Sequence, residues 1–354
     1  MIDKNGTLWV DNTVLRAANT CDLQALLRHG FGFVEPEGHA AAQAGTSLHD
    51  GQALYYRTGD PELALKAFRA SYRPHAKKID PAGRQAKLSL ENTTAIYREW
   101  LAQHPIHDSI LYNNAGNPVF RIDPELVEIG LQWPLDARCV CGASSKAHKE
   151  KSSTCKTYRP RTMFYGRADA IVEHLTSGHW YVNDHKSTGW LTALFVKKFQ
   201  LGSQMSGYTW AGDKHALGRQ VIGAIITAIE FKDLPSSDRK CSEHGMVYAE
   251  CGPQHAKFET ILVDRTPTLL TEWRKTAIEL AERYRALLEA YPAYEKDVDL
   301  TKVRSRGMFS DEACVWCDFA SGFCMRKRPT KELGALYAVE PWRPYDPDDA
   351  DAAV

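Results

Sequence analysis

The order in which hydrophobic periodicities follow one another constrains this fold more than any other feature of the chain. Residues 15–29 place Leu15, Leu23, Leu26 and Leu27 at helical spacing. Residues 40–57 read as a second helix with His49 in its middle, and Pro61 opens a third over 62–78, as proline does in a first helical turn. Residues 92–103 put Tyr97 and Trp100 on one helical face. Three strand-like runs follow, at 126–133, 163–173 and 180–186. Residues 192–217 then read as a helix, 221–231 as a β-branched, apolar and buried strand, 258–263 as a further strand, and 266–291 as a long amphipathic helix. This alternation belongs to the α/β (α+β) class. It is read as one domain over residues 1–330, with an insertion at 135–160 and a Cys-rich C-terminal module at 305–330 joined to Cys21. A tail at 331–354 follows, and its acidic end, 346–354, is expected to be disordered. No internal repeat is apparent.

Four short motifs sit on these elements. They are Gly45-Thr46-Ser47-Leu48-His49, Gly166-Arg167-Ala168-Asp169, Asp184-His185-Lys186 and Gln204-Met205-Ser206-Gly207-Tyr208. Asp169 and Asp184 fall on adjacent strand-like runs, where two carboxylates can converge on one hard divalent ion. Lys186 lies two residues after Asp184, so both side chains leave the same face of a strand. Gln204 and Tyr208 are four apart and share a helical face. His49 offers an imidazole, a donor better suited to Mn²⁺ than to Mg²⁺. Taken singly each motif is weak: aspartates often cap turns, and a lone helical histidine is more often structural.

In this order the motifs resemble the RecB-like branch of the PD-(D/E)XK nuclease superfamily, over at least residues 45–208. The resemblance implies a central mixed sheet flanked by helices, in the core order helix, three strands, helix, strand. It implies a metal-dependent deoxyribonuclease, a phosphodiester hydrolase, that uses Mg²⁺ or Mn²⁺. His49, Asp169, Asp184 and the backbone carbonyl of His185 would hold the ion, Lys186 would stabilise the reacting phosphate, and Gln204 and Tyr208 would lie beside the strand. The sequence departs from the superfamily pattern in having no proline before Asp169 and Asp as the second acid. The expected substrate is DNA, either single strands or ends, cut as an exonuclease. No Gly-x-x-x-x-Gly-Lys-(Ser/Thr) motif occurs, so a helicase or recombination partner would be a separate chain. Two other readings stay open: a non-catalytic, metal-stapled nucleic-acid-binding module, and an iron–sulfur redox protein.

The formal net charge is zero, so any nucleic-acid contact depends on local clusters. Candidates are Arg73 with Lys77 and Lys78, Lys197 with Lys198, Arg159 with Arg161, and Arg326-Lys327-Arg328. Trp190, Trp210 and Tyr208 are candidates for stacking on single-stranded bases. The chain has no run of about 18 apolar residues, and its first residues lack a basic stretch before an apolar core. A cytoplasmic location is therefore expected, in a bacterial or phage-infected cell if the resemblance holds.

Nine cysteines in a reducing compartment suggest metal rather than disulfides. Cys314, Cys317 and Cys324 crowd one segment, and three thiolates leave a four-ligand site one short. Iron–sulfur members of the same nuclease branch carry one Cys before the core and three after it. The resemblance thus implies a [4Fe–4S] cluster on Cys21, Cys314, Cys317 and Cys324. Zn²⁺ on the same ligands, or unligated thiols, are the alternatives. Cys139, Cys141, His148 and Cys155 stand in a polar insertion with too few apolar residues to order itself, and are read as a second, Zn²⁺ site or as a flexible hairpin. Cys241, His244, Cys251 and His255 also have ligand spacing.

Overall fold

The computed structural model describes residues 1–35, 40–79, 86–149, 157–215, 218–232, 257–292, 300–303, 314, 317–324 and 330–340. The chain divides into two compact units. The first comprises Met1–Glu37, Gly130–Gly166 and Pro267–Val354, and the second Gly38–Ile129 and Arg167–Thr266. Among the described residues no helix is long and apolar enough to cross a membrane.

In the first unit, β1 (Leu8–Val10) leads into α1 (Asn12–Thr20), which Asp11 caps by accepting from the Val14 N–H at 2.7 Å. A short α2 (Asp22–Ala25) and a π-turn, Leu26–Gly30, come next, followed by β2 (Phe33–Val34). The single helix expected over 15–29 is therefore two pieces. Cys21 is the break: its backbone is extended (φ −158°) while its N–H still bonds Ala17 O, and its side chain is buried.

The second unit opens with three helices, α3 (Ala40–Thr58), α4 (Pro61–Ala76) and α5 (Leu90–Gln103). Asp60 caps α4 by accepting from the Glu62 and Leu63 N–H groups, with Pro61 in the first turn as the sequence indicates. On α3 the residues Ala44, Leu48, Gly51, Gln52 and Tyr55 are buried at helical spacing. Gly51 lets α3 approach its neighbours, because a Cβ there would lie 2.9 Å from the Tyr97 ring and 3.1 Å from Ala64 O. The strands are β3 (Ile106–His107), β4 (Ile110–Tyr112), β5 (Pro118–Pro134), then, after the short α6 (Ser145–Lys149) of the first unit, β6 (Thr162–His174) and β7 (His179–Thr188). Next come α7 (Ala193–Gln200), α8 (Ser203–His215), β8 (Val221–Glu230) and β9 (Phe258–Asp264).

The sheet order is β3-β4-β5-β6-β7-β8-β9, and the sheet is mixed: β6 and β7 are antiparallel, β7 and β8 parallel, β8 and β9 antiparallel. Helices flank it. Ile225 and Ile229 of β8 pack with the aromatic cluster of Tyr55, Phe68, Tyr97 and Trp100. Ala224, Ile226 and Ala228 face Phe195, Phe199 and Met205 of α7 and α8. Burial on both faces is why 221–231 reads as a largely apolar run. Gly223 lets β8 and β9 pair closely, since a Cβ there would sit 2.3 Å from Val263 O.

The helix expected over 192–217 is also two. Arg265, buried, donates to Phe199 O at 2.8 Å, to Gly202 O at 3.4 Å and to Ser206 Oγ at 2.9 Å. A guanidinium thus takes carbonyls at the end of α7 and a hydroxyl at the start of α8.

The first unit is completed by α9 (Pro267–Ala290), α10 (Thr330–Leu333) and β10 (Ala338–Val339), which pairs antiparallel with β2. Cys21, Leu26, Phe33, Phe319, Phe323 and Tyr337 share one apolar core there. Asp22 is held by Arg283 of α9 at 3.1 Å, and β1 pairs in parallel with Thr162–Phe164 of β6.

Candidate active site

The four motifs meet in the second unit. The β6–β7 register pairs Ala170 with Asn183, and Asp169 and Asp184 are the residues next to that pair on the two strands. Both aspartates are buried. Helix α3 brings His49 up to Asp169, with Nδ1 2.7 Å from Oδ1. An ionised carboxylate can only accept, so Nδ1 carries the proton and Nε2 is the nitrogen that Asp169 does not use. The other oxygen, Oδ2, accepts from the His185 backbone N–H at 2.5 Å. Asp169 is thus oriented from two sides.

Asp184 has its own partners. Lys186 Nζ lies 2.6 Å from Oδ2, as the two-residue strand spacing requires, and Gln204 Nε2 of α8 donates to Oδ1 at 3.2 Å. Tyr208 stands one turn further along α8, half-buried. His185, a polar residue where the strand interior favours an apolar one, points into the protein. It is buried, with neither ring nitrogen hydrogen-bonded. Its ring lies T-shaped against Tyr56 (centroids 5.0 Å apart) and His49 (6.2 Å).

The site contains one residue that the sequence reading missed. Glu128 of β5 places a ligand atom within 4.8 Å of those of His49 and Asp169, and it pairs with Arg167. Its backbone is left-handed (φ 60°), a conformation uncommon for a residue with a side chain. Leu126 and Val127 before it are both buried, so the alternation that 126–133 suggests breaks at this point. No local sequence signal marks such a reversal.

The charges are strongly coupled. Burial opposes ionisation of Asp169, but the His49 contact outweighs it and holds the carboxyl below the usual carboxylate range. His49 is raised above the ordinary histidine range: burial resists the charged ring and Asp169 overcomes that resistance. Burial, then the Asp169 charge, pushes Glu128 up to about 7, with Arg167 partly offsetting both. Asp184 is raised, first by burial, against the pull of Lys186. Burial takes His185 down to about 3, so its ring is neutral.

Two carboxylates and an imidazole suit a divalent ion such as Mn²⁺ or Mg²⁺. Donors to one ion at roughly 2.0–2.6 Å lie at most about 4–5 Å from one another, and His49, Glu128 and Asp169 meet that condition. Asp184 and the His185 carbonyl are the remaining candidate donors.

In the first unit, the four cysteines assigned by sequence come into each other's range. Cys324 is pushed up to about 11 by loss of hydration and then by the thiols of Cys317, Cys21 and Cys314. Cys317 is raised by burial and, more weakly, by Cys21 and Cys314. Four-coordinate zinc with Zn–S near 2.3 Å spaces its sulfurs about 3.8 Å apart. Among the described residues no three cysteine sulfurs lie within 4.8 Å of one another.

The other assignments are less complete. Cys139 is buried and accepts from the Arg159 N–H at 3.3 Å, while Cys141 is exposed. The His148 side chain, Cys155, and Cys241, His244, Cys251 and His255 lie outside the described residues, as do Arg326, Lys327 and Arg328. Arg73, Lys77, Lys78, Lys197 and Lys198 are exposed, but Arg161 is gripped by Glu282 of α9 at 2.9 and 3.0 Å. Trp210 is buried, and Trp190 is 73% exposed. No protein-family model matches the chain, and comparison with curated proteins finds no match.

Proposed function

We propose that this chain is a divalent-cation-dependent DNA nuclease of the PD-(D/E)XK type, RecB-like branch, acting as an exonuclease on single strands or ends. One observation carries the reading. Motifs separated by up to 155 residues in sequence (49 to 204) join through direct contacts into a single set: His49–Asp169, Asp169–His185 N–H, and Lys186–Asp184–Gln204. The element order around them supports it. Helices precede the β5-β6-β7 strands, α7 and α8 intervene, and β8 returns parallel to β7.

A bound Mg²⁺ or Mn²⁺ would supply positive charge at the phosphate and lower the pKa of water. The protein's own groups do the rest. Asp169, Asp184 and His49 would hold the ion, with the His185 carbonyl as a further donor. Lys186 presents its ammonium where negative charge grows on the phosphorus oxygens. Gln204 fixes Asp184 and so the direction of its second oxygen. Exposed Trp190, four residues beyond Lys186, offers a face for an unpaired base.

In the first unit we read Cys21, Cys314, Cys317 and Cys324 as ligands of a structural [4Fe–4S] cluster. Their mutual influence supports a shared site, and four thiolates are the ligand set of such a cluster. The deciding experiment for the nuclease reading is cleavage of an end-labelled oligonucleotide with Mn²⁺. Activity that EDTA abolishes and Asp184→Asn lacks supports it. A homogeneous, metal-loaded protein that binds DNA and never cuts it would make the chain a nucleic-acid-binding module instead.

A further inference from the structure

We propose that Glu128 joins His49 and Asp169 in a second cation position, which draws His49 from the Asp169–Asp184 position and shares Asp169 with it, and that its occupancy frees Arg167 to bind a phosphate of the substrate strand. The cation position stands on geometry. Only the identity of the anion that Arg167 meets rests on the nuclease reading.

Ligand atoms of the three residues lie within 4.8 Å of one another, and among the described residues no other Asp, Glu, His or Cys joins them at that spacing. Asp184 is occupied elsewhere, by Lys186 at 2.6 Å and Gln204 at 3.2 Å. Asp169 has one oxygen towards His49 and the other on the His185 N–H, so it can serve two sides.

Glu128 sits in a left-handed backbone (φ 60°) inside a strand, and its side chain is 9% exposed. Strained residues of this kind persist where surrounding structure enforces them, and they gather at ligand sites. The strain brings one carboxylate against another, which is unfavourable unless something positive lies between them. At the same place the buried His185 imidazole lacks a hydrogen-bond partner and stands against the His49 ring. Buried polar groups left open in this way mark sites that a ligand or water completes.

Without a bound cation Glu128 is offset by Arg167, its ion-pair partner, and more weakly by His49, and the Arg167 side chain is half exposed. Arg167 precedes Asp169 by two residues on β6, so both side chains leave the same face of the strand. A dication among His49, Glu128 and Asp169 takes over the neutralisation and repels the guanidinium. The exposed side of Arg167 gives it room to turn outwards, where its fork fits a phosphodiester.

The test measures Mn²⁺ binding to the full chain by titration calorimetry and electron paramagnetic resonance. Two Mn²⁺ are expected in the wild type. Glu128→Gln should lose one, Asp184→Asn should lose the other, and Arg167→Ala should keep both and bind the Glu128-side ion more tightly. A second arm measures affinity for a fluorescent single-stranded oligonucleotide against salt. Arg167→Ala should lower the slope of log K on log salt by about 0.7, one phosphate contact, in Ca²⁺ but not in EDTA. Glu128→Gln with wild-type stoichiometry and affinity overturns the cation position. If Glu128→Gln does not fold, Glu128→Asp replaces it, and unchanged Mn²⁺ binding by that variant has the same consequence. An equal slope change with and without Ca²⁺ overturns the release of Arg167. A wild type that binds two Mn²⁺, loses one in Glu128→Gln, and neither binds nor cuts DNA leaves the cation position standing and removes the nuclease reading.

Discussion

Replacing Lys186 with Met removes one charge from the site and keeps most of the side chain's length. The ammonium lies 2.6 Å from a buried Asp184 oxygen and is about a quarter exposed. An ion pair at about 4 Å is worth roughly 4 kcal/mol at an effective dielectric of about 20. Desolvation and the exposed side of Lys186 reduce that to about 2 kcal/mol in metal-free protein. The pH dependence has a definite sign. Asp184 is already raised above its ordinary value by burial, so its contribution favours the fold at low pH and weakens as pH rises through the folded-state value. Without Lys186 that value rises further, and the variant should lose more stability at pH 8 than at pH 5 when unfolded by heat in EDTA. Saturating Mn²⁺ should narrow the gap, because a dication then balances Asp184. The cleavage rate should fall about a thousandfold, the scale for loss of a main charge-stabilising donor. Single-turnover cleavage of a labelled oligonucleotide measures this directly. A rate within tenfold of wild type, in preparations where Asp184→Asn is inactive, refutes the role given to Lys186.

Other perturbations separate fold from site. Gly223→Ala places a Cβ 2.3 Å from Val263 O and 3.0 Å from Asp264 Cα, both backbone, so β9 must shift; a loss of about 1–3 kcal/mol or more is expected in urea unfolding. Arg265→Met removes the guanidinium donor from Phe199 O and Gly202 O, which keep the Gly202 and Ser206 N–H groups at 3.3 Å, so a loss of about 1–2 kcal/mol in all is expected. Because Arg265 also holds the first turn of α8, the same variant should slow cleavage through Gln204, and full activity with lowered stability would show that the α8 start does not position that residue. Anaerobically purified wild type should be brown, with about four irons per chain, and Cys21→Ala should lose both colour and thermal stability. Stoichiometric zinc in such a preparation would replace the cluster reading.

Periodicity made most of the second unit legible. Residues 221–231 are largely apolar and β-branched because β8 is covered on both faces, and α3, α4 and α5 bury residues at helical spacing. Asp184 and Lys186 could be placed on one face from the two-residue spacing alone. What escaped depends on distant partners or on the backbone. The break between α7 and α8 is set by Arg265, which lies more than 60 residues beyond Phe199. The break at Cys21 turns on one extended residue between two runs that are each helical. Glu128 escaped because 126–133 alternates well enough as a sequence, while a positive φ at one residue re-aims its carboxylate. Arg161 read as a basic residue near the site, and its partner, Glu282, lies 121 residues away.

Asp169 of β6 and Asp184 of β7 are buried carboxylates on neighbouring antiparallel strands, and after burial the Asp169 charge is a further cause that raises Asp184. Like charges near one another across an antiparallel pair weaken the pairing. On the proposed reading, an ion bound between them would strengthen the pairing by mass action, by about 2.7 kcal/mol at a concentration of about 100 times its Kd. It would act as a rivet that closes a seam. Chelation should open β6 and β7 to hydrogen exchange and proteolysis before the rest of the unit, while the apolar pairing of β7 with β8 holds. The concentration of one ion would then set both whether the site can work and how long the strands that form it stay paired.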